Sequence, residues 1–287
     1  MRLLKFKQVD VFTRIPFAGN PVAVVLEAQG LSVLDMQRIA AWENLSETTF
    51  VLPPAAAGAD YRLRIFTPRA ELPFAGHPTI GSTHAVLEAG IVRPETGRLR
   101  QECGAGILDL QVDDETLWLE SPQATATPLH ESDLLFLKNS LKEEIKQEPL
   151  IINVGPRWLV AQLADAEALA RLLPDLQAVA ELSNRLSIGG ITVFGVSGDG
   201  RSAFHVRSFA PAHGIAEDPV CDSGNISVAA YLVKTGQAER TGRRYTARQG
   251  MQLGRDGRVA IRIEDGKILL GGSAVTCVDG SLRVPAG

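Results

Sequence analysis

Long apolar runs are missing from this sequence. Stretches such as 228–233 fall far short of the roughly 20 residues that cross a bilayer as a helix, so no membrane span is expected. A strong net charge is missing too. Twenty-nine Lys and Arg against 33 Asp and Glu leave a formal −4, which lacks the basic footprint of a nucleic-acid or anionic-membrane binder. A small-molecule partner is the expectation that remains. Cysteine is scarce: Cys103, Cys221 and Cys277 are odd in number and widely spaced, fitting neither a disulfide framework nor a zinc cluster. Free thiols in a reducing compartment follow. The opening MRLLKFKQVDVF mixes lysines and Asp10 into its apolar residues and forms no signal-peptide core, so a cytoplasmic location is expected. His84, His130, His205 and His213 show no ligand spacing, so no metal is expected, and Gly189-Gly190 lacks the Rossmann pattern and reads as a turn.

What is present is ordinary globular material. The 287 residues, 45% hydrophobic and 22% charged, can build a sizeable core and suggest two domains. Strands are predicted at 3–12 and 21–26, joined by a turn holding Pro16, Gly19, Asn20 and Pro21. Ser32 and Asp35 make a capping arrangement for a helix over 33–43 that ends near Asn44. Strands follow at 48–52 and 61–66. Pro78 then suits a first helical position, with His77 before it as N-cap and Gly90 closing the helix. That helix is small or apolar on nearly all sides, so it should be buried and wrapped by sheet. Residues 98–120 alternate in two runs, and a polar segment with Pro122 and Pro128 places a domain boundary near 122. Beyond it the pattern gives a helix around 131–146, a strand at 150–154, a helix at 165–172 and strands at 191–196 and 203–209. A second apolar helix at 225–235 and closing strands to 284 complete the reading.

An internal repeat organises these elements. FTPRAELPFAGHPTIGSTHAVLEAG at 66–90 and FAPAHGIAEDPVCDSGNISVAAYLVKTG at 209–236 share Phe-x-Pro, Ala-Glu-x-Pro, a turn of small residues and an apolar helix ending in Gly. The copies lie 146 residues apart after a three-residue insertion, which implies a duplicated two-domain protein. In each copy a strand and tight turn feed a helix whose first N–H groups lack intrahelical partners and attract anions. Two such turns are expected to converge on one interdomain cleft suited to a small carboxylate.

At these residues the chain resembles the phenazine-biosynthesis isomerase (PhzF-like) family, which shares its fold with diaminopimelate epimerase. GNPVAV at 19–24, ENLSETTFVLP at 43–53, FTPRAELPFAGHPTIG at 66–81, NVGPRW at 153–158 and SFAPAHGIAEDPV at 208–220 carry the resemblance. It implies an α+β fold of two pseudo-symmetric domains, each a curved, barrel-like mixed sheet around a central apolar helix. We set these at 1–122, with about 278–287 open to returning to it, and 123–277. The resemblance also implies cofactor-independent proton transfer, with Glu47 as acid/base and His77 and Asp218 assisting. Gly76 and Ser223 lie in the two turn loops matching the family's anion-binding backbone, and Pro78, Thr79, Asp222, Gly224 and Asn225 beside them are the further substrate-binding candidates. A homodimer and a small anionic substrate are further implications.

Individual residues carry rival readings. Glu47 precedes a strand, and a partly desolvated carboxyl there would be poised to exchange a proton near neutrality. The repeat partner of Asp218 is Leu72, an asymmetry that points to function. Cys221 answers to Ala75, so a two-thiol racemase lacks its second base. The family commonly has glycine where this chain has Asp222, whose carboxylate would repel a substrate carboxylate, point outward, or select an amine-bearing ligand. The expected function is an isomerase of a small carboxylate-bearing metabolite. The alternatives are an epimerase or racemase using Glu47 with Cys221 or Asp218, and a non-catalytic metabolite-binding or interaction protein.

Overall fold

The structure, a computed structural model, describes residues 1–285, so the last two positions of the 278–287 segment lie outside the described residues. It opens with β1 (Arg2–Val11), β2 (Asn20–Val25), α1 (Val33–Glu43), β3 (Thr48–Leu52), β4 (Tyr61–Phe66) and β5 (Glu71–Leu72). Next come α2 (Gly76–Glu88), β6 (Arg98–Cys103), β7 (Gly106–Asp113), β8 (Thr116–Glu120), β9 (Thr125–Pro128) and α3 (Glu131–Leu141). The chain continues through β10 (Leu150–Asn153), β11 (Arg157–Gln162), α4 (Ala166–Arg171), α5 (Leu176–Leu186), β12 (Gly190–Val196) and β13 (Phe204–Ala210). It closes with β14 (Ile215–Asp218), α6 (Asp222–Lys234), α7 (Ala238–Thr241), β15 (Arg244–Gln249), β16 (Gly257–Glu264), β17 (Lys267–Gly272) and β18 (Ala274–Val284). The chain divides into two compact units, Met1–Leu119 with the segment from Gly271 onward, and Glu120–Leu270.

In the first unit, β1 pairs antiparallel with both β18 and β2, and β2 runs parallel to β3. β4 then pairs antiparallel with β3 and β5 and parallel with β6, which continues into the antiparallel β7 and β8. Around this mixed sheet, α2 touches β1, β2, β3, β4 and β18. Its small residues permit that enclosure. A Cβ on Gly81 would stand 2.4 Å from Val22 Cγ1, so the helix packs at this distance only with glycine there. Phe50 and Phe66 meet edge to face at 5.4 Å in the same unit, behind α1.

The second unit repeats the pattern. β11 runs parallel to β12, β13 pairs antiparallel with β12 and β14, and β13 is parallel to β15, which pairs with β16. α6 packs against β10, β11, β12 and β16. Both central helices have 13 residues. The glutamate of each Ala-Glu-x-Pro motif closes a bidentate ion pair: Glu71 receives Arg64 at 2.7 and 2.7 Å, and Glu217 receives Arg207 at 2.9 and 2.8 Å. Each guanidinium also lies over the phenylalanine that opens the motif, Phe66 at 5.3 Å and Phe209 at 5.0 Å. The repeated Phe and Glu are therefore two points of one clamp that folds the loop back onto its strand.

Several elements differ from the sequence expectation. Residues 98–120 form three strands, because Asp114 adopts φ 50° and turns the chain between β7 and β8. α3 stops at Leu141, where Lys142 takes the left-handed conformation and returns its N–H to Lys138. Beyond it, KEEIKQE holds Ile145 as its one apolar residue. β11, β14 and α5 go beyond the sequence expectation. α5 starts on Asp175, whose carboxylate accepts the N–H groups of Gln177 and Ala178 at 3.1 Å, and it buries Val179 and Leu182 beside Leu137 and Leu169.

Candidate active site

Glu47 reaches its place through a short chain of local choices. Asn44 ends α1 in the left-handed region at φ 53°, and β3 begins at Thr48, so Glu47 stands at the mouth of a strand with its backbone set by the sheet. The carboxylate is mostly enclosed. Its Oε2 lies 3.5 Å from His77 Nδ1, whose side chain is only 6% exposed. The separation is an ion-pair distance rather than a hydrogen bond, and a proton relay between the two groups would need the pair to tighten or one water to bridge it.

His77 is the second residue of α2, and the N-cap is Ala75, which carries no capping side chain. The expectation of a His77 cap with Pro78 as first helical residue is thus corrected. Packing of the helix against the sheet draws its start back to Gly76, leaving Pro78 inside the first turn. Thr79 is fully buried, and its Oγ1 accepts from Gln101 Nε2 at 3.1 Å. Gln101 Oε1 in turn accepts the Tyr61 hydroxyl at 2.8 Å, and that hydroxyl lies 2.9 Å from Thr83 Oγ1. Burial pushes the Tyr61 phenol well above its usual range, so it stays a neutral donor. This inward network fixes α2, and with it the His77 ring.

In the second unit, Asp218 ends β14 and receives the Val220 N–H at 3.1 Å. Burial, then the negative charge of Asp222, push the Asp218 carboxyl up to about 7, against the pull of its hydrogen bonds to Val220 and Cys221. Cys221 is the N-cap of α6, and its Sγ accepts the Gly224 N–H at 3.3 Å. The same burial and the carboxylates of Asp218 and Asp222 hold the thiol far above its ordinary range. Asp222 accepts the Ser223 N–H, and Ser223 Oγ accepts the Trp158 indole N–H at 2.9 Å. Asn225 is buried, donating to Cys221 O at 2.7 Å and to Gln249 Oε1 at 2.8 Å. Gln249, fully buried, also accepts the Cys221 N–H at 3.2 Å and donates to Asp218 O at 3.0 Å. One side chain thereby ties strand, turn and helix together.

The first turn thus brings together Glu47, Gly76, His77, Pro78 and Thr79, and the second Asp218, Asp222, Ser223, Gly224 and Asn225. Against this geometry, a family model described as "Phenazine biosynthesis-like protein" (PhzC-PhzF) matches residues 9–280. The chain belongs to the phenazine biosynthesis-like family. It is 41% identical to antisense-enhancing sequence 1 of Schizosaccharomyces pombe, covering 96% of this chain and 97% of that protein. To the trans-2,3-dihydro-3-hydroxyanthranilate isomerase of Pseudomonas chlororaphis it is 35% identical, covering 89% of each. The crystal structure of a PhzF-family phenazine biosynthesis protein from Bacillus anthracis superposes with a TM-score of 0.88 at 25% identity, covering 99% of this chain and 100% of that one. The fold is the mixed α+β architecture of that family, and the protein is a small-molecule isomerase.

For a PhzF-like isomerase, sequence reading missed Gln101, Gln249, Tyr61 and Trp158 as residues that hold the turns. A signal was present for the two glutamines. In RLRQEC the buried parity runs Leu99, Gln101, and in RYTARQ it runs Ala247, Gln249, each an uncharged polar residue on the inward face of a strand. Such residues need a buried partner, and here the partner is the start of the central helix.

Proposed function

We propose that this isomerase moves a proton within a small carboxylate-bearing metabolite without a cofactor, and that Glu47 carries it. The carboxylate removes a proton from carbon as electron density shifts along the substrate, then returns it at another position, so the composition of the molecule is unchanged. His77 steadies the charge on Glu47 as it alternates between its two states. Asp218 assists as a second carboxyl able to titrate near neutrality. The observation that carries this reading is the enclosed Glu47–His77 pair at 3.5 Å. An epimerase working through Cys221 is disfavoured, because burial and two neighbouring carboxylates oppose the thiolate such a mechanism needs.

Turnover in deuterated water provides the test, using trans-2,3-dihydro-3-hydroxyanthranilate among a panel of small carboxylates and proton NMR as the readout. Solvent deuterium at the carbon that gains the proton is expected in proportion to exchange at the Glu47 carboxyl before the return, and the remainder should retain the substrate's own proton. Glu47→Gln should keep its thermal midpoint and lose about 10²–10⁴-fold in kcat, the usual contribution of a positioned acid/base. Full turnover by that variant would refute the role of Glu47.

A further inference from the structure

The repeat aligns Ala75-Gly76-His77-Pro78-Thr79 at the start of α2 with Cys221-Asp222-Ser223-Gly224-Asn225 at the start of α6. The first N–H groups of a helix have no acceptor within it and draw negative charge. At α2 neither Ala75 nor Gly76 has a side chain that could supply that acceptor. At α6 the chain supplies it twice over. Cys221 Sγ accepts the Gly224 N–H at 3.3 Å, and the Asp222 carboxylate accepts the Ser223 N–H. The Asn225 N–H already makes its helical bond to Cys221 O at 3.1 Å, and the Cys221 N–H is held by Gln249. An incoming carboxylate would have to displace Asp222 from the Ser223 N–H and then share the turn with it, with Asp218 as a second carboxyl nearby.

We propose that Asp222 is a specificity-determining residue that closes the α6 turn to anionic groups, so that the part of the substrate meeting this turn is uncharged or cationic. The inference rests on the reading of Asp218 as a residue that assists the substrate. It names a substrate class: molecules whose only anionic group is accommodated away from this turn, with dicarboxylates that would place a second carboxylate there rejected. Glycine occupies the equivalent position of α2, so a helix of this kind can begin without the carboxylate.

The test uses inorganic sulfate as an anion probe on the full-length protein, in wild type, Asp222→Gly and Asp222→Asn, at ionic strength matched with sodium chloride. Calorimetry reads the affinity, and amide resonances of Ser223 and Gly224 locate the site. Asp222→Gly is expected to bind sulfate at least tenfold more tightly than wild type, with both resonances moving in the variant and staying fixed in wild type. Asp222→Asn, which removes the charge and keeps the shape, should fall between them and covers the case in which glycine destabilises the helix start. Equal sulfate affinity in the wild type and in both folded variants would overturn the inference. So would movement of the wild-type Ser223 and Gly224 resonances. Sulfate binding requires no turnover, so failure here is separate from failure of the Glu47→Gln experiment.

Discussion

Replacing Asp218 with asparagine should make the protein more stable at alkaline pH. The carboxyl titrates ordinarily at 3.8 and in the folded chain at about 7. Between those values the folded state retains a proton that the unfolded chain has already lost. The stability this supplies is fully present below 3.8 and is lost as pH rises through 7, above which the ionised group costs about 4 kcal/mol. The asparagine side chain would keep the acceptor for the Val220 N–H and give up the hydrogen bond with Cys221, a loss of about 1 kcal/mol that does not vary with pH. Asp218→Asn should therefore exceed wild type by about 3 kcal/mol at pH 8 and by well under 1 kcal/mol at pH 5. Urea unfolding of both proteins at the two pH values reads the difference directly. The gap between the two comparisons, about 2–3 kcal/mol, is independent of the hydrogen-bond correction. If the variant differs from wild type by the same amount at pH 5 and pH 8, Asp218 does not hold its proton to neutrality and its proposed role fails with it. A gain in stability accompanied by a loss of turnover would fit a site kept strained for activity.

The paired clamps make an internal comparison, because Arg207 and Glu217 are nearly buried while Glu71 is exposed. Arg207→Ala should cost about 3–5 kcal/mol in urea unfolding, by stranding Glu217, whereas Arg64→Ala should cost about 1 kcal/mol; equal losses would show that burial is not what separates them. Gln249→Leu removes the acceptor for two buried donors, Cys221 N–H and Asn225 Nδ2, and should cost about 3 kcal/mol and lower kcat by loosening Asp218. A variant within about 0.5 kcal/mol of wild type would mean that the turn finds other partners.

The sequence was most legible where a local device sets the structure. Ser32 and Asn44 bracket α1 by side-chain capping and a left-handed stop, and the β-branched content of 48–52 and 61–66 gives both strands to the residue. It was least legible where tertiary packing decides. His77 looks like a cap beside Pro78, but the sheet pulls the helix start to Gly76 and turns the imidazole inward. α5 did carry a helical pattern in Leu176, Val179 and Leu182, masked by Pro174, which reads as a terminator when it in fact precedes the Asp175 cap. For Asp222, charge and position were visible, while the direction of its carboxylate was not: it folds onto the Ser223 N–H. That contact depends on a φ/ψ choice at the helix start that no residue pattern reports.

Comparison of the two copies separates scaffold from chemistry. The Arg, Phe and Glu of the clamp are kept in both and hold the loop. Each central helix start is also bonded by a buried glutamine, but from different positions, because Gln101 pairs with Tyr61 while Ala247, two residues before Gln249, pairs with the matching Phe204. Among the positions that differ are Leu72 and Asp218, Ala75 and Cys221, Gly76 and Asp222, and His77 and Ser223, which cluster at the helix start. Glu47 belongs with them. Thr48 pairs with Phe66 as Ile191 pairs with Phe209, which makes Gly190 the counterpart of Glu47. A Cβ at Gly190 would lie 2.1 Å from the carbonyl oxygen of Phe209 and 2.8 Å from the Trp158 ring, so no side chain can stand there. Trp158 pairs with Gly190 across the parallel strands and spends its indole N–H on Ser223. A second glutamate at the position matching Glu47 is therefore excluded by packing alone, and under the proposed mechanism any proton-handling group from the second copy must differ in kind from Glu47.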